Sequence, residues 1–509
     1  MENTLSKKLL EQRPEIAERV KIGVINDQLP ERIIQFGEGN FLRAFTAWMI
    51  NDLNRNNIFN GRIVMVQPLK VGIVNMLNDQ DGLYTLIMRG IKDGKLVEER
   101  EIITSTSRGI SPYADWNGLM KCASNPDLRF MISNTTEAGI VYVDEPRPRT
   151  ETPTSFPAKV CALLYERFKF FNGAPDKGMV MICCELIDRN GEQLRKIVLK
   201  LARQWELRQD FIDWIQNSCY FLNTLVDRIV PGYPGDNAEE ICAELGYDDH
   251  LLDTSELFHL WVIEGPKHLA EELPLHKTGL NVIWTDDMTP YRTRKVRMLN
   301  GAHTASVLAA YLANINTVDE MMKDELFHKF VETALMSEIL PQVPGDLESN
   351  KEFASSILER FQNPYVRHEL LSISLNSVSK WKVRVLPSII DYLKVKDSLP
   401  PLLTFSLAAL IAFYKGIGCA EPELRGTRNG KSYAIKDDID VLEFFEKRWY
   451  AFRHNHDLRV LVGTVLANET LWGQDLTILP GIVDNVSAQL QSLLFSGMRD
   501  AVKNLLERD

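Results

Sequence analysis

Short, continuous apolar runs recur along the first half of the chain, with helical stretches between them. Five such runs occupy residues 33–36, 63–66, 130–133, 179–182 and 281–284. A strand that is apolar at every position is typical of a parallel sheet covered on both faces. The pattern therefore predicts an α/β fold, a Rossmann-type doubly wound parallel sheet.

The pattern changes near residue 290, where helical periodicity replaces the apolar runs. Thr289-Pro290 supplies a helix N-cap followed by a proline, so a helix is expected to begin there. We predict an α/β domain over 1–290 and a mainly α-helical domain over 291–509. Residues 402–414 predict a buried helix that follows Pro400-Pro401, ends near Gly416 and is too short to span a bilayer. Residues 426–431 predict an exposed turn.

Charge and cysteine content narrow the class of protein. The net charge of -11 disfavours nucleic acid and anionic membranes as partners, although a small anionic substrate needs only a local basic pocket. The 7 cysteines are an odd number without a Cys-x-x-Cys pair, which favours reduced thiols and disfavours a zinc site. No signal-peptide pattern begins the sequence. A cytoplasmic protein without a metal is expected, and its oligomeric state stays open.

A glycine-containing loop follows the first apolar run and leads into a helix. It comprises Gly37, Glu38 and Gly39, followed by the helical positions Asn40, Phe41, Leu42 and Arg43. Glycines at such a turn let the backbone approach a pyrophosphate at a helix N-terminus. The motif is incomplete, because Leu42 replaces the third glycine and Gln67 stands where a ribose-binding carboxylate is expected. An ordinary strand–helix turn is the alternative, and NAD and NADP cannot be separated by spacing.

Lys295, Asn300 and His303 cluster at the start of the predicted boundary helix. At α-helical spacing they fall within an arc of about 140° and could face one cleft. A lysine whose pKa is lowered by neighbouring positive charges can donate a proton to a ketone oxygen, and an asparagine can stabilise the developing charge. The alternative is a solvated basic helix.

Seven motifs, in order along most of the chain, resemble the mannitol and polyol dehydrogenase family of long-chain, zinc-independent dehydrogenases. They are Ile33-Ile-Gln-Phe-Gly-Glu-Gly-Asn-Phe-Leu-Arg-Ala44, Gln80-Asp-Gly-Leu-Tyr-Thr85, Ser133-Asn-Thr-Thr-Glu-Ala-Gly139, Cys184-Glu-Leu-Ile-Asp188, Leu225-Val-Asp-Arg-Ile229, Leu299-Asn-Gly-Ala-His303 and Phe361-Gln-Asn-Pro364. The resemblance implies an N-terminal dinucleotide-binding domain, a helical C-terminal domain and a site between them. It implies Lys295 as general acid/base, with Asn300 and His303 binding the substrate.

The resemblance also implies further contacts with cofactor and substrate. Thr136 and Glu137 would contact the cofactor, and Asp227 and Lys380 the substrate. Asp227 could instead be a structural carboxylate paired with Arg228, and Lys380 a solvated helix lysine. The chain departs from polyol-active members at Leu186, where they have an asparagine, and at Ser372, where they have an arginine. A leucine cannot hydrogen-bond a hydroxyl group.

These departures argue against mannitol as substrate, and the chain most resembles sugar-acid-active members that share the Cys184-Glu-Leu-Ile-Asp188 run, so the resemblance implies a sugar acid. The implied reaction is hydride transfer between NADH and D-tagaturonate, giving D-altronate, in hexuronate breakdown. A carboxylate in a closed site needs a cationic partner, and the candidates are Lys380, Lys382, Arg384 and Arg367. Fructuronate reduction, neutral polyol oxidation and a dinucleotide-binding sensor without chemistry are the alternatives. The acidic stretch 236–256 is expected to be a solvated face.

Overall fold

The computed structural model describes residues 3–136, 138–420 and 423–507. The chain forms two compact units, Met1–Met288 and Thr289–Asp509. Across these described ranges, every helix is too short or too polar to cross a membrane.

The first unit is built on twelve strands in two sheets. In chain order they are β1 Lys21–Ile22, β2 Glu31–Phe36, β3 Arg62–Val66, β4 Tyr84–Lys92, β5 Lys95–Ile103, β6 Thr106–Ile110, β7 Phe130–Ser133, β8 Val180–Cys183, β9 Tyr220–Asp227, β10 Asp253–Glu256, β11 Leu260–Glu264 and β12 Val282–Thr285. The larger sheet has the order β12-β11-β9-β8-β7-β2-β3-β6 and is parallel except between β11 and β9. The smaller sheet has the order β1-β5-β4-β10.

Helices cover both faces of the larger sheet, and the apolar strands are buried between them. The longer helices of this unit are Lys7–Gln12, Trp48–Arg55, Val74–Asp79, Trp116–Cys122, Phe156–Phe170, Asn190–Gln204, Gln209–Ser218 and Ala238–Leu245. Within β2, Ile34 and Phe36 belong to one hydrophobic cluster and Ile33 to the other. Because successive side chains point to opposite faces, a strand buried on both is apolar at most of its positions. The predicted fold class and all five predicted strands are confirmed.

The smaller sheet was missed by the sequence analysis. Its centre is the hairpin of β4 and β5, joined by Asp93 and Gly94 at φ values of 52° and 71°. Such a two-residue turn matches the twist of antiparallel strands.

The expectation of a solvated face over 236–256 is wrong for the second part of that stretch. Asp249, Asp253 and Glu256 are all buried. Asp249 accepts hydrogen bonds from the amide nitrogen of Thr85 (2.6 Å) and from Gln80 Nε2 (2.8 Å). Asp249 therefore stabilises the smaller sheet from inside, through its hydrogen bond to β4, because buried polar groups need partners.

The second unit is mainly helical. Its longer helices are Thr289–Lys295, Gly301–Leu312, Val318–Lys323, Glu325–Thr333, Leu347–Phe361, Ser377–Arg384, Leu386–Lys396, Pro401–Phe413, Ile439–Asn455, Leu458–Leu466, Ile482–Ser496 and Met498–Leu506. The predicted helix start at Thr289 is confirmed. A three-stranded antiparallel sheet, β13 Gly416–Ala420, β14 Glu423–Arg428 and β15 Lys431–Lys436, interrupts the helices. The predicted turn is confirmed at Asn429-Gly430, but its flanking strands were not foreseen.

The predicted buried helix is Pro401–Phe413, and it is capped from outside its own sequence. Glu338 accepts hydrogen bonds from the amide nitrogens of Leu402 and Leu403, each at 2.8 Å. The first amides of a helix have no partner within it, and a carboxylate also interacts favourably with the positive end of the helix dipole. Glu338 is itself buried, so the interaction links two elements inside the core of this unit.

Candidate functional site

The glycine loop lies in the first unit at the point where the strand order reverses. From β2 the chain proceeds to β3 on one side, while β7 pairs with the other side of β2. Gly37 donates to the carbonyl of Val66 (3.0 Å), and the amide of Asn134 donates to the carbonyl of Phe36 (3.0 Å). In open α/β sheets, ligands bind at such a reversal, beyond the carboxyl ends of the strands.

Gly37 is required by the fold itself. Its φ is 120°, and a Cβ atom there would lie 2.8 Å from the carbonyl oxygen of Asn134. The loop is held from below by Gln35, whose Nε2 donates to the Gly37 carbonyl (2.8 Å) and whose Oε1 accepts from Thr46 (2.7 Å). A polar residue inside an apolar strand is thereby explained, because its amide fixes the turn.

Gly39 is different, because a Cβ atom there would meet no atom within 4 Å. It lies on a cavity of about 500 Å³, within the size range of ligand pockets. The residues around this cavity come from the strand ends and from the segment before helix Phe156–Phe170: Gly37, Glu38, Gly39, Pro68, Leu69, Asn134, Thr135, Thr136, Ala138, Gly139, Val141, Val143, Thr154, Ser155 and Phe156. The fold does not need a glycine at position 39, whereas a dinucleotide beside the loop would. The residues present therefore fit a dinucleotide.

The four helical positions after the glycines serve the loop in different ways. Leu42 packs under Gly37, and Phe41 stacks on Phe45 with ring centroids 4.9 Å apart. Arg43 is buried and donates to the Leu251 carbonyl (2.6 Å) and to the side-chain oxygen of Asn40 (2.7 Å). Arg43 thus fixes Asn40 and the start of the helix.

A buried carboxylate organises the opposite wall. Glu185, from the Cys184-Glu-Leu-Ile-Asp188 motif, accepts from Ser133 Oγ (3.1 Å) and from the amide and hydroxyl of Thr135 (both 3.0 Å). Thr136 follows with a φ of 70°, exposed and on the cavity. Glu137 lies outside the described residues. Leu186 is largely exposed, at 64%.

The sequence analysis overlooked Glu38, the residue between the two glycines. Its side chain is buried on the cavity, and this burial raises the pKa of the carboxyl group above its usual value. A Cβ atom on Gly72 would lie 2.1 Å from Glu38 Oε1 and 2.5 Å from Gln67 Cδ. Glu38 therefore brings a carboxylate to the end of β3, where the sequence offered only the neutral Gln67.

In the second unit, the three clustered candidates lie around a π-helical turn. Helix Thr289–Lys295 continues through the π segment Val296–Asn300 into helix Gly301–Leu312. A π turn advances by only about 80° per residue instead of about 100°, because its hydrogen bonds reach one residue further. Lys295, Asn300 and His303 consequently share an arc of about 60°, narrower than the uniform helix predicted.

The imidazole of His303 lies among aromatic and cationic neighbours. It stacks on Phe361 with centroids 3.9 Å apart and meets His368 edge-on at 5.5 Å. Removal from water, reinforced by His368, Arg360 and Arg384, holds its pKa well below the usual range. Its Nε2 atom is buried, and no group in the described part of the chain hydrogen-bonds to it. The imidazole is therefore neutral, with one nitrogen whose hydrogen-bonding capacity those residues do not use.

Basic residues on helix Ser377–Arg384 divide between its two sides. Lys380 and Arg384 are four residues apart and share a face, while Lys382 lies on the other side, over Gly473. Lys380 is partly buried and donates to the Ile373 carbonyl (2.9 Å), so it is not a fully solvated lysine. Arg367 is exposed and pairs with Glu369 at 2.8 Å.

Asp227 ends β9 in the first unit and is buried. The neighbouring Arg228 donates to the carbonyl oxygens of Glu256 (2.9 Å) and Ala44 (2.6 Å) and lies over the Trp48 ring. Main-chain carbonyl oxygens thus accept the hydrogen bonds of the Arg228 guanidinium. Over the part of the chain that is described, no three His, Cys, Asp or Glu side chains come together as a metal-binding group.

Comparisons with known proteins cover nearly the whole chain. The family described as the mannitol dehydrogenase Rossmann domain matches residues 31–277, and the mannitol dehydrogenase C-terminal domain matches residues 287–494. Curated altronate oxidoreductases from Escherichia coli O6:K15:H31 and O139:H28 are each 47% identical over 480 residues, covering 94% of this chain and 97% of theirs.

Solved structures agree in fold. Mannitol 2-dehydrogenase of Pseudomonas fluorescens, in a ternary complex with NAD and D-mannitol, is 24% identical with a TM-score of 0.69 over 99% of this chain and 100% of its own. A D-sorbitol dehydrogenase in substrate-free form is 20% identical with a TM-score of 0.78 over 98% of this chain and 100% of its own.

Proposed function

Since the chain belongs to the mannitol dehydrogenase family, we propose that it is an NAD-dependent oxidoreductase that interconverts D-tagaturonate and D-altronate. The observation that carries the proposal is the 47% identity, over 94% of the chain, to altronate oxidoreductases. We assign cofactor binding to the first unit and substrate binding with proton transfer to the second. The substrate is a small sugar acid.

When bound, a nicotinamide would supply or accept the hydride. The cavity residues Gly37, Gly39 and Thr136, with Asn40, Phe41, Leu42 and Arg43 shaping the helix start, would hold the dinucleotide. Gly39 leaves room for the pyrophosphate, and the helix N-terminus favours negative charge. We also assign Glu137 to cofactor binding, because it belongs to the motif Ser133-Asn-Thr-Thr-Glu-Ala-Gly139.

NAD is favoured over NADP by Glu38. A carboxylate can accept hydrogen bonds from ribose hydroxyls, and it repels the additional phosphate of NADP. Glu38 lies on the cavity beside Gln67, the residue that directly follows β3. Glu38 would therefore supply the ribose-binding carboxylate that the sequence lacks at Gln67.

Lys295 would transfer the proton to and from the reacting oxygen. Asn300 would donate a hydrogen bond to this oxygen as negative charge develops. His303 would act as a neutral hydrogen-bonding group, because its lowered pKa opposes the charged form and no described protein group hydrogen-bonds to its Nε2. A neutral His303 leaves Lys295 as the acid. Asp227 and Lys380 would contact the substrate hydroxyl or carboxylate groups.

The test is NADH oxidation with D-tagaturonate, D-fructuronate and D-fructose, measured in parallel for the wild type, Lys295→Ala and Lys382→Ala. Removing a positioned acid/base should lower kcat by about 10²- to 10⁴-fold. Lys382→Ala makes the same chemical change on a surface away from the candidate site and should retain activity. Preference for fructuronate or fructose would refute the substrate assignment. NADH binding without turnover of any ketone would instead favour a dinucleotide-binding sensor.

A further inference from the structure

The second unit contains a group of basic side chains, two imidazoles with a lysine and an arginine, drawn from three segments of the chain. His303 experiences the charge of Arg384, His368 experiences that of Lys380, and Lys380 in turn experiences that of Arg384. Each of these interactions disfavours the protonated, positively charged form of the side chain on which it acts. The nearest acidic influence on Lys380 is Asp437, which also accepts a hydrogen bond from the Tyr414 hydroxyl.

Arg384 is the arginine of this group. Its guanidinium is partly buried and donates to Thr304 Oγ1 at 3.4 Å. Among the side chains that the structure describes, no carboxylate lies within ion-pair distance of it. Burial accordingly lowers the pKa of Arg384. A buried charge without a counter-charge is costly, so the arrangement calls for an anion.

Arg297 shows how the same fold treats an arginine with a structural role. It is buried in the same region of the second unit, donates to Asp391 at 2.7 Å and also donates to Ser388 at 3.0 Å. Its charge is neutralised by the protein. Arg384 has no such carboxylate, and this contrast indicates that its counter-charge comes from a ligand.

The backbone brings Arg384 next to the proposed catalytic segment. A Cβ atom on Gly301 would lie 3.1 Å from the carbonyl oxygen of Arg384. Gly301 thus permits a close approach between its helix and the end of helix Ser377–Arg384. Asn300 and His303 flank this contact, so Arg384 is adjacent in space to residues 84 and 81 positions earlier in the sequence.

We propose that Arg384 binds the carboxylate of the sugar-acid substrate, with Lys380 one helical turn away on the same face. The proposal rests on the proposed function and deepens it, because it names the residue that separates charged from neutral substrates. A planar guanidinium can present two parallel N–H donors to a carboxylate. A neutral polyol offers no charge to neutralise the cluster and gains nothing equivalent.

The experiment compares Arg384→Gln, Arg384→Lys and Lys382→Gln in the full-length protein. Steady-state kinetics with D-tagaturonate and calorimetric titration of D-altronate are the two readouts. We expect Arg384→Gln to raise KM and the altronate Kd by about 10²-fold, because charge-assisted hydrogen bonds are lost. Compared with Arg384→Gln, Arg384→Lys should recover part of the affinity for the sugar acid, since lysine keeps the positive charge but cannot present two parallel N–H donors. Lys382→Gln, the same change on the other side of the helix, should leave both constants unchanged.

Two failures are distinguishable. If the wild type reduces D-tagaturonate but Arg384→Gln changes KM no more than Lys382→Gln does, the carboxylate assignment is overturned and the proposed function stands. If the wild type neither reduces nor binds any sugar acid, the proposed function fails and the assignment fails with it. Retained NADH binding and an unchanged melting temperature in Arg384→Gln show that the variant is folded.

Discussion

The two glycines of the nucleotide loop should differ in how the same substitution changes the stability of the protein. At Gly37, alanine meets a φ of 120° and a contact of 2.8 Å with the Asn134 carbonyl oxygen. The strained backbone costs about 1–3 kcal/mol and the overpacked contact about 1–3 kcal/mol. A loss of about 3 kcal/mol corresponds to a fall of roughly 6–12 °C in the melting temperature of a unit of this size.

At Gly39, alanine meets no atom within 4 Å and adopts an ordinary φ of -68°. We expect little loss of stability, or a gain of a few tenths of a kcal/mol from the stiffer unfolded chain. The methyl group would instead occupy space proposed for the pyrophosphate, so the NADH Kd should rise by at least about 10-fold.

The assay is a thermal melt of each apo variant paired with fluorescence titration of NADH. Gly37→Ala should lose stability, and its affinity for NADH should also fall because the Asn134 carbonyl must move. Gly39→Ala should keep its melting temperature and lose affinity. Equal destabilisation of both variants would refute the structural distinction, and unchanged NADH affinity in Gly39→Ala would refute the cofactor placement.

Three further results are expected. Glu38→Gln should narrow the preference for NADH over NADPH by about 10-fold or more, measured as the ratio of the two Kd values, because the repelling carboxylate is removed; an unchanged ratio would remove Glu38 from cofactor selection. Glu338→Gln should destabilise the protein by about 1–3 kcal/mol in urea denaturation, because it weakens the hydrogen bonds that the first amides of helix Pro401–Phe413 donate to this side chain. An unaltered denaturation midpoint would contradict this. Lys159 is buried with its pKa lowered to about 8. Because the unfolded state then binds more protons than the folded state, the free energy of unfolding should rise with pH. Between about pH 8 and 10.5 the wild type should gain up to about 3 kcal/mol of this free energy relative to Lys159→Met. A difference between the two proteins that does not change with pH would disprove the pKa shift.

Local sequence was sufficient wherever the physical requirement is itself local. A strand buried on both faces is apolar at most positions, so residues 33–36 and 130–133 were recognisable without tertiary information, although each contains one buried polar residue. Prolines and capping residues similarly predicted the helices that begin at Thr289 and Pro401. The hairpin of β4 and β5 escaped because β5 contains four consecutive charged residues, 98–101, and because its pairing with β1 and β10 is long-range.

Within the candidate site, sequence determined the residue types, and the tertiary structure determined which of them meet. The motifs identified Gly37, Gly39 and Lys295, whose chemistry depends on their type. The π turn before Gly301 depends on packing, and no residue spacing in the sequence predicted it. Glu38 beside Gln67, and Arg384 beside Gly301, arise where segments distant in sequence approach each other. Such contacts are fixed by burial and helix packing across the whole unit, and for that reason only the folded chain revealed them.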